Sequence, residues 1–365
     1  MQILISKSKY QIIIEDNHKK ILKSLQIGTS IPILPKFTDF LIRTFKNYDV
    51  KAILLRKKIN NHLFEVNDEN IVGICLLFND DNEVLFFGFF GTYDHNSYKI
   101  NILIDELKKY ARRNKFKKIF GPVNIPIIIF GFGFMEEGSN KQLATGKPVN
   151  PPIYQRLFIK QGFYIKYIEE NYYSRAFRFD PDKLPGYDFS EFEFINLTKE
   201  NLHEYLDDMI RLHKNNMPEY SKITPNTEKN VKVLFDYLFS YEKDFLVWVV
   251  KHIPSNQIVA CGHIAPNPFI KDKKGRLTSA SIEHVVVDKK FQGQGITMYM
   301  YGKTFSQAIN PETGERIKYC TNSIGINNKR IIDFTRKYIN GIMDRRHFIL
   351  EYNFDKAKLS HLAQI

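Results

Sequence analysis

Two glycines, Gly293 and Gly295, lie between an apolar β-branched run and the start of a helix. The run ends at Val287, a short charged turn follows, and Ile296 to Tyr301 is typical of a first helical turn. Backbone N–H groups at a helix N-terminus have no partner within the helix and carry partial positive charge. Glycine lets the backbone approach a diphosphate without a Cβ in the way. This spacing therefore predicts a phosphate-binding loop, which we call the glycine loop (residues 288–295).

Two familiar phosphate-binding loops are excluded by the residues around these glycines. A dinucleotide-binding fingerprint requires a third glycine at the position of Met298. A P-loop requires Gly-Lys-Ser or Gly-Lys-Thr after a four-residue gap, and the chain has no such segment. An ordinary turn between a strand and a helix remains the alternative, so the surrounding elements decide the interpretation.

Residues 190–353 predict strands and helices in a definite order around the glycine loop. Alternating and continuous apolar runs predict strands, and apolar residues at helical spacing predict helices. The predicted strands are 192–195, 245–250, 258–264, 277–287, 317–321 and 346–352, and the predicted helices cover 199–215, a segment capped by Thr227, a segment from Ile296, and 328–338. The resulting order is β-α-α-β-β-β-α-β-α-β.

The segment Gln292-Gly293-Gln294-Gly295-Ile296-Thr297 resembles motif A of the GCN5-related N-acetyltransferases (GNAT), Gln/Arg-x-x-Gly-x-Gly/Ala. Gln292 and Gly295 match the motif, and Thr297 departs from it at the last position. The order of elements is also that of this family. The resemblance implies an α/β (α+β) fold, with a mixed, mostly antiparallel twisted sheet flanked by helices, and acetyl-CoA as the cosubstrate.

The resemblance also implies which residues bind acyl-CoA. In this family the cosubstrate lies where two neighbouring parallel strands separate, here the predicted strands 281–287 and 317–321. Main-chain groups of Val285 and Val287 would bind the pantetheine arm. The N–H groups that would bind the pyrophosphate belong to Gln292, Gly293, Gln294, Gly295, Ile296 and Thr297. Asn327 occupies a position where the family often has an asparagine near CoA, although helix capping explains such a residue equally well.

Glu283 is the candidate general base. It precedes the glycine loop on the same predicted strand, at a position that many family members fill with Glu. Strand alternation predicts that Glu283 shares a face with Val285 and Val287, whereas His284 faces the other way. A carboxylate in this apolar run would be partly desolvated and could take a proton from an amine. A solvent-facing or ion-paired Glu is the alternative.

Tyr338 is the candidate general acid. The family often has this acid in a Tyr-x-x-x-Gly-Phe pattern, and here Phe334 stands where the Tyr is expected. Tyr338 lies one helical turn later and could substitute for it, with core packing as the alternative.

The N-terminal half predicts a degraded copy of the same fold. Predicted strands cover 63–66, 71–78, 83–90 and 118–120, and a predicted helix covers 97–114. Where the glycine loop is expected the chain reads Gly91-Thr92-Tyr93-Asp94-His95-Asn96, which has no glycine pair. Asp94 would repel a diphosphate, so we expect no CoA site in this half.

The resemblance therefore implies two acyl-CoA N-acyltransferase-like domains in tandem. We predict a domain without a CoA loop at residues 1–185 and an acyltransferase domain at 186–365. A chain of 365 residues fits two domains. The N-terminal half is also similar to tandem acetyltransferase-like proteins and distantly similar to the Fem aminoacyl transferases, which pair two such domains.

The amino-acid composition restricts the classes of binding partner that we expect for this chain. The net charge of +13 would attract anionic CoA, RNA or an acidic substrate. The basic stretch 108–118 predicts either a nucleic-acid-binding stripe or a solvated helix end. The cysteines Cys75, Cys261 and Cys320 are far apart, which suits a reducing cytoplasm and predicts no metal site. No apolar stretch has the length of a membrane span.

These observations lead to the hypothesis of an acyl-CoA-dependent N-acyltransferase (EC 2.3.1 type). The acyl group, expected to be acetyl, would pass by direct attack to a primary amine of a small molecule or peptide. One alternative is a Fem-like transferase that uses aminoacyl-tRNA, which the basic stretch favours and the intact glycine loop opposes. The other alternative is a non-catalytic acyl-CoA sensor, which is compatible with the departures from the family pattern at Thr297 and Phe334. The acceptor, the acyl chain length and the oligomeric state stay open.

Overall fold

The computed structural model describes residues 2–4, 9–28, 31–58, 70–79, 83–136, 143–175, 182, 186–216, 232, 246–275, 277–307 and 317–356. The predicted strand 63–66 and the predicted helix after Thr227 lie outside these residues. No helix within the described ranges is both long and apolar enough to cross a membrane.

The N-terminal half of the chain contains seven strands and five α-helices among the described residues. In chain order these are β1 Gln2–Leu4, β2 Tyr10–Glu15, α1 His18–Ser24, α2 Thr38–Asn47, β3 Lys51–Lys57, β4 Ile71–Phe78, β5 Val84–Thr92, α3 Ser97–Arg113, β6 Lys118–Gly121, α4 Ile127–Phe130, β7 Phe134–Met135 and α5 Ile153–Lys160.

The remaining described elements follow the predicted order. They are β8 Tyr164–Arg175, β9 Phe192–Leu197, α6 Leu202–Asn216, β10 Leu246–His252, β11 Gln257–Pro266, β12 Ser279–Val287, α7 Ile296–Gln307, β13 Tyr319–Gly325, α8 Lys329–Tyr338 and β14 Ile342–Asn353. The periodic spacing of apolar residues is enough to predict this order. A helix or strand that buries one of its faces needs apolar residues at the matching period.

The chain forms two compact units whose boundaries differ from the predicted division between residues 185 and 186. Unit 1 comprises 1–168 and 345–365, and unit 2 comprises 169–344. The difference arises because each of two long strands, β8 and β14, contributes residues to both units.

Strand pairing explains this division. Residues 350–353 of β14 pair antiparallel with β6 in unit 1, with Leu350 opposite Gly121. Residues 169–175 of β8 pair antiparallel with β13 in unit 2, with Glu169 opposite Gly325. The structure therefore differs from the sequence-based division at both strands: 346–352 belongs to unit 1, and 169–175, which precede the predicted boundary at residue 185, belong to unit 2. Local patterns predict strands but do not specify which distant strand they pair with.

Unit 1 is built on a sheet with the strand order β1-β2-β3-β4-β5-β6-β14. One core of this unit lies between the sheet and the helices α3 and α5, where Leu103, Leu107 and Phe158 are fully buried. Phe87 and Phe158 stack with ring centroids 5.0 Å apart. The many phenylalanines of β5 thus serve packing.

Unit 2 is built on a sheet with the strand order β8-β13-β12-β11-β10-β9. On one face, Tyr299 and Met300 of α7 join a core that includes Trp248 and Ala260. The next residue on β11, Cys261, contacts His213 of α6. Since neighbouring strand residues point to opposite faces, α6 and α7 cover opposite sides of the sheet.

The two units share a β-bulge at the same place. In unit 2 the pairs His263–Glu283 and Cys261–Val286 leave one residue of β11 opposite two residues of β12. In unit 1 the pairs Leu76–Gly88 and Ile74–Gly91 leave one residue of β4 opposite two of β5. Each bulge begins with a non-glycine residue at positive φ, His284 (φ 53°) in unit 2 and Phe89 (φ 42°) in unit 1. A matching bulge supports the predicted repeat more strongly than any short sequence match does.

This register places Gly88 of unit 1 where unit 2 has Glu283, because both residues directly precede the bulge. Unit 1 also fills the gap next to its bulge with its own chain. Val123 N–H donates to Phe87 C=O at 2.7 Å, and the side-chain oxygen of Asn124 accepts from Phe89 N–H at 2.6 Å. These bonds occupy main-chain groups of β5 that would otherwise face an open gap.

Gly88→Ala is expected to destabilise unit 1. A Cβ at this position would overlap the backbone carbonyl of Val123, which cannot move without breaking its neighbouring hydrogen bonds. The expected loss is about 1–3 kcal/mol in the free energy of unfolding, measured by urea denaturation. Gly73→Ala is the matched control, since its Cβ would meet the flexible Leu103 side chain at 3.0 Å. Equal losses in the two variants would contradict this account.

Candidate functional site

The parallel strands β12 and β13 separate after three paired positions. Ser279, Ala280 and Ser281 pair with Tyr319, Cys320 and Thr321. The Ser281 and Thr321 hydroxyl oxygens lie 2.8 Å apart at the last pair. Beyond it, 282–287 pair with β11 only and 322–325 with β8 only, within the described residues. We call the gap between these two segments the wedge, and its position agrees with the predicted separation of strands.

Main-chain groups of β12 line the wedge. Asp288 N–H donates to Val259 C=O at 2.8 Å, so the adjacent Val287 directs its own N–H and C=O away from β11 and toward the wedge. Val285 has the same direction by strand alternation. The side-chain amide of Gln292 already donates to Val287 C=O at 3.0 Å. The Val287 N–H is therefore the group of this residue that is oriented to bind a ligand.

The glycine loop connects the wedge to α7. Asp288 accepts a hydrogen bond from Lys290 N–H at 3.0 Å, and Lys289 N–H donates to the Asn216 side chain at 2.9 Å. Gly293 and Gly295 have φ of 92° and 79°, a region that side chains rarely adopt. The backbone conformation thus explains why glycine stands at both positions.

The N-terminus of α7 is open to a ligand. Tyr299 N–H donates to Gly295 C=O at 3.0 Å, and it is the first amide of the helix to do so. The amides of Ile296, Thr297 and Met298 precede it and have no side-chain cap among the described residues. Thr297 is partly exposed, whereas the Ile296 side chain is buried in the core.

The corresponding helix of unit 1, α3, is closed. The side chain of Asn96 accepts from the amides of Tyr98 at 3.0 Å and Lys99 at 3.4 Å. The Lys99 ammonium is paired with Asp94 at 2.7 Å, and this hydrogen bond lowers the pKa of the Asp94 carboxyl. The first-turn amides of Tyr98 and Lys99 and the Lys99 ammonium are thus already occupied by protein groups.

Arg330 places a cation beside the glycine loop. The sequence alone did not predict this residue as part of the site. One of its terminal nitrogens lies 3.5 Å from the position that a Cβ on Gly293 would occupy. Arg330 and the loop residues Lys289 and Lys290 are exposed. Within the described ranges, Arg330 forms no ion pair. The signal available in the sequence was its place two residues after Asn328, at the start of the helix that follows β13.

Glu283 does not share a face with Val287, which corrects the prediction from strand alternation. Glu283 pairs with His263 and Val287 pairs with Ala260, on opposite faces of β11. The bulge at His284 inserts one residue, and this reverses the alternation between Glu283 and Val287. Glu283 therefore lies on the α6 side of the sheet, at the edge of the wedge, and its side chain is partly exposed.

Three histidines surround this position on the α6 side: His213, His263 and His284. The His284 ring lies 5.4 Å from His263 and 5.8 Å from His213, centroid to centroid. His213 Nδ1 donates to Met209 C=O at 2.7 Å, so its Nε2 is an acceptor. This Nε2 and that of His263 are buried without a hydrogen-bond partner within the described structure.

Burial favours the neutral form of these histidines. Desolvation, reinforced by the neighbouring His284, lowers the pKa of His213 to about 4. Desolvation likewise lowers the pKa of His263 and of His284, and the Glu283 carboxylate partly opposes the change at His284. The residues described around the site form no group of metal ligands.

The free energy of unfolding is expected to fall as the pH decreases from about 6.5 toward 4. In that window unfolded His213 binds a proton and folded His213 does not, so acid favours the unfolded state. The expected slope from this residue is about 1 kcal/mol per pH unit. Urea denaturation at several pH values should show a flatter dependence for His213→Gln. His203→Gln, at an exposed position of the same helix, should keep the parental slope, and an unchanged slope in His213→Gln would refute the assignment.

Tyr338 and Asn327 lie at opposite ends of α8. Asn328 caps this helix by accepting from Ile331 N–H at 3.4 Å, and Asn327 is exposed beside it. Tyr338 is 51% exposed and contacts Phe334, with ring centroids 5.6 Å apart, so it does not pack in the core. Tyr338 and Arg330 are separated by roughly 12 Å along the helix.

The other residues considered from the sequence have mainly structural contacts. Cys320 is buried in the core, and burial raises the pKa of its thiol. In the basic stretch, Lys108 hydrogen-bonds to Gln161, Lys109 pairs with Glu106, and Lys117 pairs with Glu83. Arg112 lies over the Phe354 ring at 5.4 Å. Several of these cations therefore stabilise unit 1 itself.

Comparison with known proteins identifies the fold. No family profile matches the chain, and no curated protein sequence matches it. Among solved structures, the chain is similar to a tandem GNAT protein from the clavulanic acid biosynthesis pathway, solved without AcCoA. The TM-score is 0.59 at 9% identity, over 94% of this chain and 98% of that one. The chain thus has the tandem acyl-CoA N-acyltransferase fold that the resemblance predicted.

Two further structures agree with this fold. One is a conserved Enterococcus faecalis V583 protein of unknown function, described as "Probable N-Acyltransferase", with a TM-score of 0.55 at 7% identity over 95% of this chain and 73% of that one. The other is the GCN5-related glucosamine N-acetyltransferase region of a fungal multi-domain GH3 beta-N-acetylglucosaminidase. There the TM-score is 0.58 at 12% identity, over 95% of this chain and 38% of that one.

Proposed function

We propose that unit 2 is an acyl-CoA-dependent N-acyltransferase that transfers an acetyl group to a primary amine. The observation that carries this proposal is the continuity of the wedge, the glycine loop and the open N-terminus of α7. A pantetheine arm needs main-chain donors and acceptors along an extended path, and the unpaired edge of β12 provides them. A pyrophosphate needs amides and cations at the end of that path, where the glycine loop, α7 and Arg330 lie.

The absence of these features from unit 1 supports the assignment to unit 2. Unit 1 has the same bulge, but its gap is filled by Val123 and Asn124 and its helix α3 is capped by Asn96. Gly88 of unit 1 occupies the position that Glu283 has in unit 2, so unit 1 lacks a carboxylate there. We propose that unit 1 binds no CoA.

The acyl group would arrive as a thioester in the wedge. The neutral amine nitrogen would attack the carbonyl carbon, and Glu283 would take the proton that this nitrogen loses as the C–N bond forms. The Val287 N–H would donate to the carbonyl oxygen and stabilise the negative charge that develops there. When the C–S bond breaks, CoA leaves as a thiolate, and Tyr338 is proposed to supply its proton. Because Glu283 lies on the α6 side, the amine would approach from that side of the sheet.

Calorimetry with acetyl-CoA followed by free-thiol release across a panel of primary amines tests the proposal. We expect CoA to bind in the wedge and at least one amine to release thiol. No CoA binding would refute the proposed function. Binding without turnover on any amine would favour an acyl-CoA sensor, and turnover that requires aminoacyl-tRNA would favour a Fem-like transferase.

A further inference from the structure

Tyr187 lies directly against the glycine loop. The Tyr187 ring occupies the position that a side chain on Gly295 would take. A Cβ there would overlap ring atoms Cγ, Cδ1 and Cε1. The absence of a side chain at Gly295 therefore allows an aromatic ring, rather than a phosphate, to approach from this direction. Gly293, by contrast, leaves space toward Arg330.

The Tyr187 ring is the outer end of a stack that is anchored in the core. It stacks on Phe189 with centroids 5.9 Å apart and planes at 8°, and Phe189 stacks on Tyr299 of α7 at 4.9 Å. Phe189 and Tyr299 are buried, whereas Tyr187 is 45% exposed. The stack holds the outer ring in one orientation and leaves much of its surface to solvent.

A fixed, exposed aromatic ring is a surface on which a planar nucleobase can stack. Every base has a π-face, so this contact requires no further specific hydrogen bonds. In CoA the adenine is joined through one ribose to the pyrophosphate, so a ring beside the pyrophosphate loop is within reach of the base.

We propose that Tyr187 is the binding platform for the adenine ring of the acyl-CoA. This inference rests on the proposed function and extends it to the nucleotide end of the cosubstrate. The platform and Arg330 flank the glycine loop at Gly295 and Gly293 respectively. The nucleotide would thereby be recognised by its base as well as by its phosphates.

Calorimetry with two ligands tests the platform. CoA contains the adenosine group, whereas 4′-phosphopantetheine has the same pantetheine arm without it. Tyr187→Ala is expected to weaken CoA binding by about 10- to 100-fold and to leave 4′-phosphopantetheine binding unchanged. Tyr187→Trp keeps an aromatic face and is expected to retain CoA affinity. Tyr93→Ala, at an exposed tyrosine of unit 1, is the matched control.

The possible outcomes separate the platform from the proposed function. If the parent protein binds CoA and Tyr187→Ala binds it equally well, the platform is refuted and the proposed function stands. If Tyr187→Ala weakens both ligands by the same factor, the ring only supports the loop, and the platform is again refuted. If the parent protein binds neither ligand, both proposals fail. The melting temperature of each variant, measured in parallel, identifies loss of affinity that follows from unfolding.

Discussion

Glu283→Gln is expected to reduce kcat for amine acylation by about 10²- to 10⁴-fold, the usual contribution of a general base. Glutamine keeps the size and the hydrogen-bonding shape of the side chain but cannot take a proton. Because the proposed CoA contacts are main-chain groups of β12 and the glycine loop, the Kd for acetyl-CoA should change little. Steady-state thiol release and calorimetry on the same preparation measure the two quantities separately.

A matched control for this variant is Glu193→Gln, at an exposed carboxylate of β9 in the same unit. It should leave kcat and the Kd unchanged. If kcat fell less than about threefold, the assignment of Glu283 as a base would be wrong.

Arg330→Ala is expected to weaken acetyl-CoA binding by about 10- to 100-fold, since a hydrogen bond to a charged group contributes roughly 1.5–3 kcal/mol. Its guanidinium lies beside Gly293 and forms no ion pair within the described ranges, so it is available to a pyrophosphate. The loss should appear in the Kd and in KM, with kcat at saturating acetyl-CoA nearly unchanged. Calorimetry at low and high salt should show a weaker salt dependence in the variant.

Lys337→Ala is the matched control for Arg330→Ala, because it removes an exposed cation near the opposite end of α8. Its expected effect on the Kd is negligible. Arg330→Lys should recover only part of the affinity, because an ammonium cannot donate two parallel hydrogen bonds to a phosphate. Equal Kd values for Arg330→Ala and Lys337→Ala would exclude Arg330 from the phosphate site.

The two units differ at the features that the proposed acyl-CoA site of unit 2 requires. Both have parallel strands that separate and a bulge beside the gap. Unit 1 closes its gap with Val123 and Asn124, caps α3 with Asn96 and has Gly88 where unit 2 has Glu283. Each change removes a property that an acyl-CoA site needs, without altering the sheet. The sequence predicted the lost loop, whereas the filled gap is visible only in the structure.

The sequence by itself determined the order of elements and the position of the glycine loop. These are local properties, because apolar periodicity follows from burying one face and a positive φ at Gly293 and Gly295 requires glycine. It also showed the absence of a glycine pair in unit 1 and predicted Glu283 as the general base, which stays a prediction.

Only the tertiary structure decided which strands complete each unit, which face Glu283 occupies and which residues flank the loop. Strand exchange through β8 and β14 depends on pairing between distant segments, which no local pattern encodes. The bulge at His284 reverses the side-chain alternation on which the sequence argument relied. Arg330 and Tyr187 reach the loop from elements far along the chain. Residue types and spacing thus led to the proposed chemistry, and long-range packing determined which groups lie beside the glycine loop.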